Sequence, residues 1–216
     1  MKSIKNLIIN IDGSSGSGKT TAAKLIGKKY RLSVLYSGLL FRFAALKLIQ
    51  DNPVNRITYL RKIFAKINYN KIKKINLHTP EISKHSAEIA KNLKIRLIIK
   101  SFQKKYVKKN QKVVLEGRDM SKIFPKADIK FFVACKPIKI AAKRRWLQLK
   151  IKNKKISLKE VQNDLKRRDF IDKNRKHSKL ERHPDSVYIN TAKLNIKGVL
   201  DIMSEQINRV IKRKYG

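Results

Sequence analysis

Residues 7–30 read LIINIDGSSGSGKTTAAKLIGKKY: an apolar run, then glycines and serines ending in Lys-Thr, then a helix-like period. Gly13 to Thr20 match G-x-x-x-x-G-K-[ST], in the strand-then-helix setting that this pattern requires. The glycines let backbone N–H groups turn inward around phosphate oxygens, and the start of the following helix adds partial positive charge. The stretch predicts a nucleotide-binding loop of Gly13, Ser14, Ser15, Gly16, Ser17, Gly18, Lys19, Thr20 and Thr21. Lys19 would bridge the β- and γ-phosphates of ATP, and the Thr20 hydroxyl would ligate Mg²⁺. A flexible Ser-Gly turn before a chance lysine is the plain alternative, and the flanking strand and helix argue against it.

Around this loop, short runs rich in Val, Ile and Phe alternate with longer helical periods, the pattern of a parallel sheet flanked by helices. Strands are predicted at Leu7–Ile11, near Val34–Leu35, and at Val113–Leu115, Lys130–Ala134 and Val187–Ile189. Helices are predicted after Lys19, from Gly38 to about Gln50, and over Pro80–Tyr106, Pro137–Lys150, Leu158–Arg175 and Ile196–Lys214. Residues 51–79 read as a small insertion between helices, and residues 150–160 as a lysine-dense hairpin or turn. The expected fold is an α/β single domain over residues 1–216.

The chain carries 54 Lys plus Arg against 15 Asp plus Glu, a net charge of +39. Such a field attracts polyanions. The lysines are scattered without an aromatic-interleaved reading surface, so a solvated basic coat is the simpler explanation and nucleic acid is not required. The single cysteine, Cys135, follows an apolar run and reads as a buried strand-end thiol. No window offers a membrane-length apolar run, so a cytoplasmic protein is expected. His78, His85, His177 and His183 lack metal-ligand spacing, and Trp146 reads as core.

Four later fragments supply polar groups suited to an anionic acceptor. YSGLLFR sets Ser37 as a helix N-cap with Arg42 one to two turns on, although an ordinary cap and a surface arginine would look the same. VVLEGRDM ends a β-branched strand with Arg118 and Asp119 at its carboxyl end, where open α/β sheets bind ligands; the alternative is a structural pair closing a turn. In RRDFIDKNR, Arg168, Asp172 and Arg175 are spaced i, i+4, i+7 on one predicted helix face. A surface ion pair would be worth only a few tenths of a kcal/mol, but acids are scarce here. LHTPEISKHSAEIAKNLKIR starts a helix at Thr79-Pro80 and carries Arg96 further along.

Together the fragments IDGSSGSGKTT, SGLLFR, TPEIS, IR, GRDM with FPKA, RRWLQL, RRDFIDKNR and VYINTAKLNI resemble, in order and spacing, the bacterial cytidylate kinase family of nucleoside monophosphate kinases. The resemblance implies a P-loop fold with a monophosphate-binding region near residues 40–100 and a lid near 148–175. It implies γ-phosphoryl transfer from ATP, with Mg²⁺, to CMP or dCMP by a monomer. On matching positions, Ser37, Arg42 and Arg118 are implied acceptor-phosphate contacts and Arg96 and Asp119 cytosine contacts. Arg168 and Asp172 are implied pentose contacts, and Arg175 a lid group facing the transferred phosphoryl. Lys19, Arg118, Arg168 and Arg175 would be catalytic.

The chain departs from the family pattern at Tyr36, where Asp usually precedes Ser-Gly, at Ala87, where a base-contacting Ser is common, and at Ile171, where another arginine is frequent. The segment before TPEIS is short, and the loop after GRDM is one residue shorter. A missing hydroxyl at 87 removes one hydrogen bond to the base, about 1 kcal/mol, which bears on discrimination among CMP, dCMP and UMP. The competing readings are a P-loop kinase for UMP or AMP, and a basic ATP- or nucleic-acid-binding protein without this turnover.

Overall fold

The structure is a computed structural model that describes residues 5–151 and 155–216. Its sheet runs in the order β2-β3-β1-β4-β5, formed by β1 (Leu7–Gly13), β2 (Ser33–Tyr36), β3 (Lys112–Gly117), β4 (Ile129–Ala134) and β5 (Val187–Asn190). β1 pairs in parallel with both β3 and β4, and β4 with β5. Central parallel strands are covered on both faces, which is why they read as continuous apolar runs. Leu7, Ile9, Ile11, Val113, Leu115, Phe131 and Val133 are accordingly fully buried. All five strands lie where the apolar runs predict them.

The chain forms two compact units. The larger comprises the chain up to Val34 and from Gln111 onward. Besides the sheet strands it holds α1 (Lys19–Lys29), the short α7 (Met120–Ile123), α8 (Ile138–Lys150), α9 (Leu158–Asn174), a 3₁₀ turn (Thr191–Lys193) and α10 (Ile196–Tyr215). α8 and α9 close over Cys135, Ala141, Ala142, Val161 and Leu165, with Trp146 packed against them. The Trp146 indole N–H donates to the Ile156 carbonyl at 2.9 Å, so the tryptophan braces the α8–α9 connection. The middle of the predicted lysine-dense turn, residues 152–154, lies outside the described residues.

The smaller unit, Leu35–Asn110, contains α2 (Ser37–Asp51), α3 (Arg56–Lys66), α4 (Tyr69–Ile72), α5 (Pro80–Ile89) and α6 (Leu93–Lys109). Edge-on aromatic contacts join Phe43 to Phe64, Phe64 to Phe102 and Tyr69 to Tyr106, a geometry that ring quadrupoles favour. Two expectations are corrected here. The predicted helix Pro80–Tyr106 is two helices, because the Asn92 side chain accepts the Ile95 N–H and caps a new start. The predicted insertion at 51–79 is itself largely helical. Asn55 and Asn68 side chains cap α3 and α4, since short polar acceptors satisfy the orphan N–H groups of a first turn.

Candidate active site

The glycine-serine loop bridges β1 and α1, as the motif predicts. A side chain at Gly13 would strike the Val133 carbonyl oxygen at 1.9 Å, so the loop leaves the sheet through a gap that fits only backbone. Gly16 and Gly18 adopt left-handed φ values of 70° and 85°. Ser15, Ser17 and Lys19 are buried, and the Ser17 hydroxyl oxygen has no hydrogen-bond partner among the described residues. The Thr191 hydroxyl supports the loop from behind by donating to the Ser17 carbonyl at 3.1 Å.

Lys19 folds back on the loop. Its ammonium donates to the Ser14 carbonyl at 2.9 Å and lies 3.8 Å from Glu116. Burial, and then the Arg118 guanidinium, lower its pKa to about 7 against the opposing pull of Glu116. The Thr20 hydroxyl faces the same carboxylate, 3.4 Å from Glu116 Oε1. Glu116 was missed in the sequence reading. Its signal was a lone acid closing a β-branched strand, in a chain poor in acids.

Arg118 stands at the carboxyl end of β3. Its Nε donates to Asp172 at 2.8 Å, and its Nη2 to the Ser15 hydroxyl at 3.2 Å. Burial alone would lower its pKa, but Asp172 and then Glu116 outweigh it and hold the guanidinium above its ordinary value. Arg175 also reaches Asp172, at 3.2 Å. Burial, and then repulsion from Arg118, lower the pKa of Arg168. Arg118, Arg168, Asp172 and Arg175 therefore gather beside the loop.

The expected single helix face over residues 168 to 175 does not reach Arg175. α9 ends at Asn174, and Arg175 follows with extended backbone at φ −63°, ψ 144°. It returns to Asp172 after leaving the helix, while the ion-pair partner of Arg168 is Asp164, at 3.7 Å. Asp119 is buried beside Arg118. Asp12 accepts the Met120 and Ser121 N–H groups, each at 2.8 Å, and so ties the loop's entry to the turn bearing Arg118 and Asp119.

In the smaller unit, Tyr36 rather than Ser37 is the N-cap of α2. The helix starts one residue early, and the Ser37 hydroxyl instead accepts from the Gln103 amide at 2.9 Å. Arg42 donates to the Leu77 carbonyl at 3.0 Å and to the Ser83 hydroxyl at 2.6 Å. Arg96 lies in α6, not in the helix begun at Pro80. It donates to the Ala90 carbonyl at 3.0 Å, and its guanidinium sits 5.2 Å from the centre of the Phe41 ring.

Comparison with known proteins places this arrangement. The cytidylate kinase from Clostridium tetani is 32% identical over 223 residues, spanning 97% of each chain. That from Fervidobacterium nodosum is 34% identical over 213 residues, covering 92% of this chain and 96% of its own. Among solved structures, an uncharacterized protein from Eubacterium ventriosum aligns over 94% of this chain and 98% of its own, with a TM-score of 0.55 at 16% identity. Shikimate kinase from Bacteroides thetaiotaomicron gives 0.51 at 11% identity over 94% of this chain and 98% of its own; both likenesses speak for the fold alone. Residues 9–209 match the family described as cytidylate kinase, and the chain belongs to that family.

Proposed function

We propose that this chain transfers the γ-phosphoryl group of ATP to CMP or dCMP, giving ADP and CDP or dCDP. The observation that carries the reading is Arg118, whose one guanidinium spans Ser15 of the phosphate loop and Asp172 of α9. A cation held in that position would address an acceptor phosphate next to the donor. The names of its relatives support the same substrate class.

In this reading the bond from the γ-phosphorus to the β-bridging oxygen breaks as a new bond forms to a CMP phosphate oxygen. The transition state is loose and spreads charge over equatorial oxygens. Gly13 to Thr21 cradle the donor, and Lys19 moves from the Ser14 carbonyl to the phosphates. Ser37, Arg42 and Arg118 hold the acceptor phosphate, Arg96 and Asp119 read cytosine, Arg168 and Asp172 hold the pentose, and Arg175 faces the transferred group. The acceptor is already anionic, so no general base is needed. The smaller unit serves as the monophosphate region, and α8–α9 as the lid that excludes water.

Thr20 and Glu116 offer hard oxygen donors 3.4 Å apart, a set that suits Mg²⁺ shared with substrate phosphates. When bound, the ion would neutralise phosphate charge. The proposal includes a cytoplasmic monomer that needs neither membrane nor nucleic acid. Sedimentation of the full chain with and without RNA checks the assembly part.

A coupled ADP-release assay over CMP, dCMP, UMP and AMP tests the main claim. CMP and dCMP should give the highest kcat/KM; a leading rate with AMP rejects the assignment. UMP is the informative competitor, because Ala87 offers the base no hydroxyl.

A further inference from the structure

We propose that Asp169 is a positioning residue that clamps α9 onto the phosphate loop. The proposal rests on the kinase reading above. Asp169 Oδ1 accepts the backbone N–H of Ser15 at 2.7 Å, a length proper to a hydrogen bond strengthened by charge. The hydroxyl of the same serine accepts from Arg118, and Arg118 donates to Asp172. Asp169 and Asp172 are one turn apart on α9, so loop, strand end and helix close into a ring of four residues.

The next loop residue continues the register. Gly16 faces Leu165, whose Cδ1 would lie 3.2 Å from a side chain added there. Leu165, Asp169 and Asp172 are spaced i, i+4, i+7 and form the stripe of α9 turned to the loop. An apolar contact sets the depth of the helix against the loop, and the Asp169 hydrogen bond sets its rotation and sliding. Inward N–H groups of such a loop form an anion-binding concavity, and Asp169 takes the one at Ser15.

The guanidiniums of Arg168 and Arg175 take their place from this register. A displacement near 1 Å at a reacting centre costs about 10²-fold in rate. Asp169 thus acts through α9, without touching substrate or moving a proton.

The test uses the full chain, with amide hydrogen exchange at Ser15 in the nucleotide-free protein and steady-state kinetics with CMP and MgATP. D169A should speed exchange at Ser15 and lower kcat about 30-fold, leaving both KM values within about threefold. D169N keeps an oxygen acceptor in place and should recover most of kcat and of the protection. The proposal is overturned if D169A lowers only the melting temperature, or if D169N is as impaired as D169A. Fast exchange at Ser15 in the unsubstituted protein also overturns it, even if D169A does not fold. An unsubstituted protein that fails to use CMP would refute the kinase reading instead, leaving the exchange measurement to judge the clamp.

Discussion

Within each unit, different local partners orient the candidate site residues. In the larger one, Arg118 and Arg175 are both tied to the Asp172 carboxylate, and Lys19 lies near Glu116. In the smaller one, Arg42 is held by a carbonyl and a hydroxyl, and Arg96 by a carbonyl. In the proposed reading the larger unit would address the transferring phosphoryl group, and the smaller the acceptor monophosphate.

The contrast can be broken most sharply at Lys19. K19A removes the one ammonium of the cradle and should cut kcat about 10³-fold, measured by ADP release at saturating CMP; a loss confined to KM would contradict its role at the transferring phosphate.

Next in size is a pH effect inside the larger unit. Burial, opposed by hydrogen bonds from Ser121 and Met120, raises Asp12 from 3.8 to about 6. Between those values the folded chain binds more protons than the unfolded one, so this group makes stability fall as pH rises from about 4 to about 6. The full span is about 3 kcal/mol. Urea unfolding at successive pH values should show that slope, and D12N should remove it.

R42A tests the smaller unit. Losing a charged donor worth about 2 kcal/mol should raise KM for CMP about 30-fold while KM for ATP stays put; equal changes in both would erase the distinction between the units. The smallest effect is expected for D172N, which leaves Arg118 and Arg175 with a neutral partner and should lower kcat about tenfold. A change in KM for CMP alone would leave Asp172 its pentose contact and rule out the part it plays in holding Arg118 and Arg175.

Features set by local chemistry were legible in the sequence. The Gly13–Thr20 pattern specifies its own backbone, and the five strands are continuous apolar runs, so both lie where predicted. The break at Asn92 was hidden because Ile89, Ile95 and Ile99 keep the apolar pattern running across it, although the capping asparagine was there to be read. Ser37 fell one residue inside its helix because Tyr36 takes the cap position, with no side-chain capping bond to mark it. Glu116 and Asp169 escaped for another reason. Their partners, Thr20 and the Ser15 N–H, lie far away in the chain, and only the parallel pairing of β1 with β3 and the packing of α9 bring them close.

Gly16 carries one more consequence. With no side chain there, the floor of the cradle is a single layer of backbone resting on Leu165 and Ala141. In the proposed reading the hydrocarbon seam between α8 and α9 is the underside of the nucleotide's seat, and any loosening of that seam would be passed to the loop directly.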